Sequence, residues 1–375
     1  MKSQIGLPIT TAFCIIFIVI APLQGNPSHC KIYDLSPDGV YWPGLHKIND
    51  IDQVVGCSYT ADNERDGFLW DRLLGMRSLG TLGGVVTSSS DINNLGQVVG
   101  VSQTTNGNER AFSWENGSMS DLGSLAGDAA QSWANAINNS GQIVGYSETT
   151  DSGRHGFLWD NGTMTDLGTL GGYGSFARGI NDAGQIVGES FTDRGNWHVF
   201  RWQDGQMADL GTLGGNRSEA YDINNSGQIA GYSRLNDGSD YNNSHAVLWE
   251  NNGQLIDIGT LGGIDESKAM ALNDSGQVVG YSYTDMWQQH AFLWDSTDGM
   301  IDLNTLLPGD SGWAYLETAF DINNNGHIVG IGYLEPEEGE ELVCTEPHLF
   351  LMTPEPTSVV LLALGATALC RKRRY

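Results

Sequence analysis

Short runs that alternate between apolar and polar residues recur along this 375-residue chain, separated by glycine-rich turns. The stretch INNSGQIVGYS, residues 137–147, is typical, because a turn sequence is followed by an apolar, β-branched run. Seven versions of it occur, and they define seven sequence units. The units begin at Lys47, Asp91, Ala136, Gly179, Asp222, Ala271 and Asp321.

Each unit contains the same four pieces, and each piece predicts a short strand. The first ends in Ile-Asn or Leu-Asn, and the second follows a tight turn as QIVGYS or similar. The third alternates, as in HAFLW, and the fourth reads MTDLGTL at residues 164–170. Four antiparallel strands per period of about 45 residues is the signature of a β-propeller blade. The pattern therefore predicts an all-β chain that forms a seven-bladed β-propeller over residues 26–353.

The two ends of the array predict how such a ring closes. The seventh unit has its third strand near Phe350, but no fourth strand follows it. Residues 31–35, KIYDL, precede the first unit and match the missing strand. We therefore expect an N-terminal strand that completes the last blade and leaves no sheet edge unpaired, between residues near 31–36 and 348–353.

Residues 1–25 are predicted to be a secretory signal peptide, with Lys2 before an apolar stretch. A membrane anchor is the alternative, although the stretch is short beside the roughly 20 residues that a span takes. The signal peptide predicts that the mature protein is exported, to the cell surface or the extracellular space. Glycine, at 50 residues, is abundant, which agrees with many turns.

The C-terminus carries a second predicted targeting signal. The triplet Pro354, Glu355 and Pro356 is followed by fourteen uncharged residues, 357–370, and then by four basic residues, Arg371, Lys372, Arg373 and Arg374. Residues 354–375 closely resemble the PEP-CTERM sorting signal of bacterial surface proteins. The resemblance implies transient inner-membrane association through the tail, with the basic residues inside, and recognition and removal by an exosortase-type sorting machinery.

The repeat itself resembles the bacterial extracellular HAF repeat. The motif is present as His290-Ala291-Phe292 and is relaxed to HGF at 155–157 and HAV at 245–247. The likeness covers nearly all of residues 47–353. It implies an extracellular repeat protein, and it brings no established activity or catalytic residues.

Charge and cysteine content limit the classes of ligand and of metal or disulfide site that the sequence predicts. The formal net charge of −27 disfavours nucleic acid and anionic membranes, and leaves cations or neutral glycans as candidate ligands. Cys30, Cys57 and Cys344 are the cysteines outside the two apolar ends. Three cysteines at irregular spacing predict neither a disulfide framework nor a zinc site, and they leave the pairing open.

The recurrent turn resembles half of a calcium-binding loop. A calcium loop needs six to eight oxygen ligands, yet an acid at the first position occurs only at Asp91, Asp222 and Asp321. What persists in every unit is the asparagine at the third position, which favours a turn, because asparagine bonds its own backbone. A turn is thus the preferred interpretation; no cofactor is expected, and calcium at these three aspartates is the alternative.

Two further patterns are interpreted as structural. The tryptophan at the end of the third strand in six of the seven units, such as Trp159 and Trp249, is expected to pack in the core. Histidines at the head of that strand are expected to make a structural hydrogen bond, with a pH sensor as the alternative. These histidines are His155, His198, His245, His290 and His348.

Aromatic residues outside the repeat pattern are the candidate ligand-binding residues. They fall in the variable connections or at the strand starts beside them, where binding residues concentrate. They are Trp42, Trp133, Trp197, Trp287, Trp313 and Tyr173. Aromatic faces beside acceptor-rich loops suit stacking on sugar rings, although some of them could instead plug the mouth of the propeller.

The sequence contains no Gly-x-Ser-x-Gly, His-Glu-x-x-His or phosphate-binding motif. We therefore expect a non-catalytic, exported propeller that binds or scaffolds extracellular polysaccharide or matrix. The alternatives are a secreted carbohydrate-active hydrolase or lyase, whose acids would converge on the propeller mouth, and a calcium-dependent adhesin.

Overall fold

Strands joined by tight turns account for most of the chain in the computed structural model, which describes residues 30–36, 47–59, 64–235, 243–336 and 346–354. The helical segment within these ranges is a 3-10 helix, Leu303–Leu306. The same ranges hold no helix that is long and apolar enough to cross a bilayer. The chain is therefore all-β, as the alternating pattern predicts.

The strands form seven antiparallel units of four that follow the sequence units. Units 1 to 3 contain β2 (Lys47–Ile48), β3 (Val54–Tyr59), β4 (Arg65–Asp71), β5 (Gly75–Ser78), β6 (Gly83–Ile92), β7 (Val98–Thr104), β8 (Glu109–Glu115), β9 (Ser118–Asp121), β10 (Ser132–Ile137), β11 (Ile143–Glu148), β12 (Arg154–Asp160) and β13 (Thr163–Asp166). Units 4 and 5 contain β14 (Gly171–Ile180), β15 (Ile186–Thr192), β16 (Trp197–Gln203), β17 (Gln206–Asp209), β18 (Gly214–Ile223), β19 (Ile229–Leu235), β20 (Ser244–Trp249) and β21 (Leu255–Gly259). Unit 6 contains β22 (Gly262–Leu272), β23 (Val278–Thr284), β24 (Gln289–Asp295) and β25 (Gly299–Asp302).

Unit 7 combines the two ends of the described chain. It consists of β26 (Trp313–Ile322), β27 (Ile328–Leu334), β28 (His348–Pro354) and, as its outermost strand, β1 (Cys30–Asp34). Strand β1 pairs antiparallel with β28, so that Asp34 lies opposite Phe350 and Cys30 opposite Pro354. The pairing predicted from the KIYDL segment is thus present.

The fourth strand of a unit is shorter than the sequence pattern predicts. In unit 3 it ends at Asp166 instead of Leu170. The Asp166 carboxylate accepts a hydrogen bond of 2.8 Å from the N–H of Gly168, whose φ is +75°. An aspartate side chain that bonds the N–H two residues ahead closes a local turn. The strand therefore ends at this turn instead of continuing its hydrogen-bond ladder with the third strand.

The hairpin turns of a unit emerge at one edge, which we call the turn edge. The turns between first and second strands and between third and fourth strands lie there; in unit 5 the Gln228 amide of one turn donates to Glu250 of the other at 3.1 Å. The remaining connections emerge at the opposite edge, which we call the loop edge.

The hydrophobic core lies between consecutive units. Each of seven apolar clusters takes residues from two neighbours, and one of them packs Phe68 of unit 1 against Val329 and Leu351 of unit 7. The recurrent tryptophans belong to these clusters, as predicted; Trp249 is fully buried, and Trp159 packs against its cluster. Because strands are covered on both faces by neighbouring units, no unit buries its apolar residues alone.

Two of the three cysteines fall within the described ranges. Cys57 is buried in β3, and the Cys30 thiol donates to the carbonyl of Leu306 at 3.0 Å. Cys344 lies outside the described residues, so the pairing remains open.

Candidate functional site

The asparagine of each turn supports the turn and links neighbouring units. In unit 4 the Asn181 Oδ1 accepts hydrogen bonds from the N–H groups of Ala183 and Gln185 at 3.1 and 3.0 Å. Its Nδ2 donates to the carbonyl of Asn224 in unit 5 at 3.0 Å. All the polar atoms of this side chain are thus used by the fold, as the turn interpretation predicts.

The inter-unit bond recurs at every turn and returns to its starting point. It runs in order through Asn49, Asn93, Asn138, Asn181, Asn224, Asn273 and Asn323, whose Nδ2 donates to the carbonyl of Asn49 at 3.0 Å. A second cycle joins the backbone N–H of the next residue in each turn to a side-chain oxygen of the neighbouring unit, from Asp50 to Asn94 and finally from Asn324 back to Asp50.

The first strands enclose a cavity of about 160 Å³ near the turn edge, and the three predicted metal candidates lie around it. Asp321 accepts from the N–H of Ile48 at 2.8 Å and from Lys47 Nζ at 3.2 Å. Asp91 and Asp222 likewise each accept a backbone N–H from the following unit. Across the described ranges, no group of three or more histidine, cysteine, aspartate or glutamate residues has an arrangement that could hold a metal ion.

Burial and charge act in opposite directions on the ionisable groups of this cavity. Burial raises the pKa of Asp91 to about 7, an effect that the Lys47 ammonium only partly offsets. Burial alone would lower the pKa of Lys47, but attraction to Asp222 and Asp321 raises it above its ordinary value. Lys47 therefore stays charged, whereas the Asp91 carboxyl group is partly protonated near neutral pH.

A second surface is built from the half-buried face of the first strands, where residues alternate with fully buried ones. In unit 2 this face carries Ser88 and Ser90. The equivalent positions are far larger in the next units: Trp133 in unit 3, and Phe176 and Arg178 in unit 4. The residue types at the buried positions of the first strand are thus similar between units, whereas those at the half-buried positions differ across units 3 to 6.

Six aromatic rings form one continuous group across units 3 and 4, which we call the aromatic cluster. Successive ring centroids lie 3.9 to 5.5 Å apart. In order of contact the rings are Trp133, Tyr146, Phe176, Trp197, Phe191 and Tyr173. Tyr173 is 71% exposed and stacks on Phe191, which makes the end of the cluster an open aromatic face at the loop edge.

Polar groups border the aromatic cluster. The Arg154 guanidinium lies 4.8 Å above the Trp133 ring, and Trp133 Nε1 donates to Glu109 at 3.1 Å. The indole nitrogen of Trp197 is buried and meets no acceptor within the part of the chain that the structure describes. The cluster therefore combines ring faces with hydrogen-bonding groups, which is the composition of many ligand sites.

An ion pair lies beside the cluster, on unit 4. Arg178 donates twice to Glu189 Oε1, at 2.8 and 2.6 Å, and its guanidinium is 5.7 Å from the Phe176 ring. Glu189 is fully buried; burial raises its pKa to about 7, although Arg178 opposes the shift. This carboxyl group can thus hold a proton near neutral pH.

Similar pairs continue along the same face in units 5 and 6. Arg217 bonds Glu219, which also accepts from the Tyr221 hydroxyl at 3.2 Å. Lys268 lies 2.8 Å from Glu266. Burial would raise the pKa of Glu219, but these hydrogen bonds lower it below its ordinary value.

The predicted ligand-binding residues separate into distinct environments. Trp133, Trp197 and Tyr173 meet in the aromatic cluster. Trp287 is 66% exposed on a tight turn of unit 6, outside the chain of rings. Trp313 is only 5% exposed and packs edge-on against Phe350, which is a core position with no open ring face. Trp42 lies outside the described residues.

The sorting residues lie almost wholly beyond the described chain. Pro354 ends β28. The others fall outside the described ranges: Glu355, Pro356, Arg371, Lys372, Arg373 and Arg374.

The histidines of the third strands each bond an aspartate of the adjacent outer strand, as a structural interpretation predicts. His198 Nδ1 lies 2.9 Å from Asp209, and His290 Nδ1 lies 2.7 Å from Asp302. The same pairing occurs at His155, His245 and His348.

Sequence reasoning missed Tyr146, Phe176, Arg178 and Glu189. None is in a variable connection, because all four lie inside regular strands. An alignment of the seven units position by position would have shown them, since serine or valine occupies equivalent positions in unit 2.

Comparisons with known proteins agree with this fold and assign no activity. Residues 212–318 match a family described as "Protein of unknown function (DUF3466)". No curated protein matches the sequence.

Among solved structures, the chain resembles a puromycin-hydrolyzing peptidase of Mycobacterium tuberculosis, with a TM-score of 0.52 at 11% identity over 78% of this chain and 50% of that one. It also resembles an acylaminoacyl peptidase of Pyrococcus horikoshii, with a TM-score of 0.51 at 12% identity over 87% of this chain and 54% of that one. The six-bladed lectin of Aleuria aurantia gives a TM-score of 0.39 at 11% identity, over 72% and 99% of the two chains. The chain spans about half the length of the two peptidases. The likenesses to the two peptidases agree with a β-propeller fold and concern the fold alone.

Proposed function

We propose that this protein is an exported, surface-sorted, seven-bladed β-propeller that binds extracellular polysaccharide through the aromatic cluster and is not an enzyme. Export and sorting rest on the two terminal segments, residues 1–25 and 354–375, and on the resemblance of the repeats and the tail to HAF-repeat and PEP-CTERM proteins. An exosortase-type machinery is then the partner of the tail.

Three observations support seven blades in a closed ring. Seven apolar clusters each join two neighbouring units, and one joins unit 7 to unit 1. The asparagine cycle returns from Asn323 to Asn49. Strand β1 completes unit 7. A small-angle scattering profile that fits a closed disc would agree with this arrangement, and an extended one would contradict it.

The continuous chain of six rings is the observation that carries glycan binding. The apolar C–H face of a pyranose ring packs on an aromatic face, and the flat surfaces of Tyr173 and its neighbours offer such contacts at the loop edge. Tyr173 is the exposed ring of the cluster and offers the stacking face for a sugar, while the half-buried rings behind it hold it in place.

The charges beside the cluster favour a neutral glycan. The cations Arg178, Arg217 and Lys268 are each paired with a glutamate of this protein, so they are not free to bind an acidic polymer. The chain as a whole carries −27, which repels acidic polymers.

The test is retention of the purified protein on isolated, neutral matrix polysaccharide, followed by a glycan array. Tyr173→Ala should lower affinity about tenfold, which corresponds to about 1.4 kcal/mol. Trp287→Ala is the matched control, because it removes an equally exposed ring outside the cluster. Equal retention of wild type and Tyr173→Ala would count against the proposal.

A secreted hydrolase or lyase is the second candidate, and Glu189 is the observation that favours it. A carboxyl group whose pKa is about 7 can act as a general acid, and this one lies beside the aromatic cluster. Release of reducing ends from matrix polysaccharide by wild type, and its loss in Glu189→Gln, would establish this activity.

A further inference from the structure

Four large aliphatic side chains are exposed at the turn edge of units 1 and 2. Ile51 and Leu95 occupy the tips of the first turns of these units, and Leu73 and Leu74 occupy the second turn of unit 1. Between 63% and 93% of each of these four side chains is exposed. Among the described residues, Val85, Met286 and Trp287 are also strongly exposed, and they lie at the loop edge.

The remaining units show that the fold does not require these residues. At the position of Ile51 and Leu95, the other five units carry Ser140, Ala183, Ser226, Ser275 and Asn325. The turn with Leu73 and Leu74 has its counterpart in unit 6, where Thr297 and Asp298 donate to Asp295 as Leu73 and Leu74 donate to Asp71. Because the same turn backbone forms with polar residues or alanine, the fold does not require large aliphatic side chains at these turns.

Hydrogen bonds hold the two units of this patch side by side. The N–H of Asp50 donates to Asn94 Oδ1 at 2.9 Å, and Asn94 Nδ2 donates back to Asp50 at 2.8 Å. The residues that follow, Ile51 and Leu95, are therefore adjacent tips.

The described chain ends at the same edge, in the neighbouring unit. Pro354 closes β28, and it lies 3.9 Å from the place that a side chain on the unit 7 turn glycine, Gly326, would take. Unit 7 contacts unit 1 through the bond from Asn323 to Asn49. Residues 357–370, which carry no charge, and the basic residues 371–374 follow within three positions.

We infer that the turn edge of units 7, 1 and 2 is a membrane-facing surface, which rests on a lipid bilayer while the C-terminal tail is held in it. The inference depends on membrane association of the tail and is independent of glycan binding. It directs the loop edge, with the aromatic cluster, away from the bilayer toward extracellular material.

The composition of the patch indicates which bilayer surface it fits. Leucine and isoleucine insert between acyl chains near the headgroups, and the adjacent Arg72 is exposed to meet lipid phosphate. Because the whole protein carries −27, a surface rich in anionic lipid repels it, and a zwitterionic bilayer is the better match.

Carbene footprinting of the full chain, with and without phosphatidylcholine vesicles, tests the proposal residue by residue. Peptides that contain residues 49–53, 72–75 and 93–97 should lose at least half of their labelling when vesicles are added. The loop-edge peptide 284–288 should keep its labelling and serves as the internal control. Unchanged labelling of the turn-edge peptides, or equal protection of both edges, would overturn the inference.

A variant measures the contribution of the patch. Ile51→Ser, Leu73→Ser, Leu74→Ser and Leu95→Ser combined should lower the partition coefficient onto the same vesicles about tenfold and abolish the footprint. The matched control combines Val85→Ser, Met286→Ser and Trp287→Ser at the loop edge and should change neither. An intact footprint of the turn edge in the fourfold variant would show that these side chains do not make the contact.

Discussion

The Nδ1 of His348 lies 2.8 Å from the carboxylate of Asp34, although 314 positions separate the two residues in the chain. In units 3 to 6 the equivalent pair is formed by two strands that are consecutive in sequence, as in His198 and Asp209. Strand β1 therefore supplies unit 7 with the aspartate that the fourth strand supplies in units 3 to 6.

Loss of the Asp34 carboxylate should loosen β1. Asp34→Ala removes the bond to His348, and we expect faster tryptic cleavage after Lys31 under native conditions, because the strand opens more often. Asp209→Ala, which removes the same bond within unit 4, is the control and should leave cleavage at Lys31 unchanged. Equal protection of Lys31 in both variants would argue against a role of this pair in holding β1.

The turn asparagines should contribute strongly to stability. Asn181→Ala leaves the N–H groups of Ala183 and Gln185 without their acceptor and removes one of two donors to the Asn224 carbonyl, and we expect a loss of about 2 to 4 kcal/mol. Ser226→Ala changes a neighbouring turn position whose side chain is exposed and should cost less than about 0.5 kcal/mol. Chemical denaturation of both variants measures the difference.

Asp91 should make stability depend on pH. Its pKa is about 7 in the folded protein because of burial, whereas an aspartate in an unfolded chain has a pKa of about 4. The folded state thus binds the proton more tightly, so this contribution is full below about pH 4 and is lost as the pH rises to about 7.

The melting temperature of Asp91→Asn should consequently fall less than that of wild type between pH 4 and pH 8. The exposed Asp193→Asn is the control, and it should follow the wild-type profile. Parallel profiles for wild type and Asp91→Asn would contradict a raised pKa of Asp91 in the folded protein.

A glycine of the second strand is required by close approach of the backbone. A Cβ at Gly188 would lie 1.9 Å from the carbonyl oxygen of Phe176, where the first strand bulges. We expect Gly188→Ala to destabilise the protein by more than about 3 kcal/mol, because backbone must move. Gly309→Ala, at a position with open space, should be nearly neutral; comparable melting temperatures for the two variants would refute the argument.

Chelation should leave stability unchanged. Asp91, Asp222 and Asp321 already accept backbone N–H groups, and Lys47 neutralises part of their charge. We therefore expect equal melting temperatures with calcium and with a chelator. A rise of several degrees in calcium would instead favour the adhesin alternative, since a ligand that binds only the folded state stabilises it.

The sequence by itself determined the strands, the seven units, the turn role of the asparagines and the partner of the KIYDL segment. These features are local or repeat at a fixed period, so alternation, turn residues and a missing strand are enough to predict them. The pairing of β1 with β28, in which Asp34 lies opposite Phe350, joins the two ends of the described chain. The repeat nevertheless made this pairing predictable.

Only the tertiary structure decided which aromatic residues meet. Trp197 and Trp313 both stand at strand starts outside the repeat pattern, but one joins the aromatic cluster and the other is buried against Phe350. Likewise the shared cavity of Asp91 and Lys47 follows from contacts between units. Side chains that face a neighbouring unit contact residues about 40 positions away in the sequence. A local sequence pattern therefore cannot predict what surrounds them.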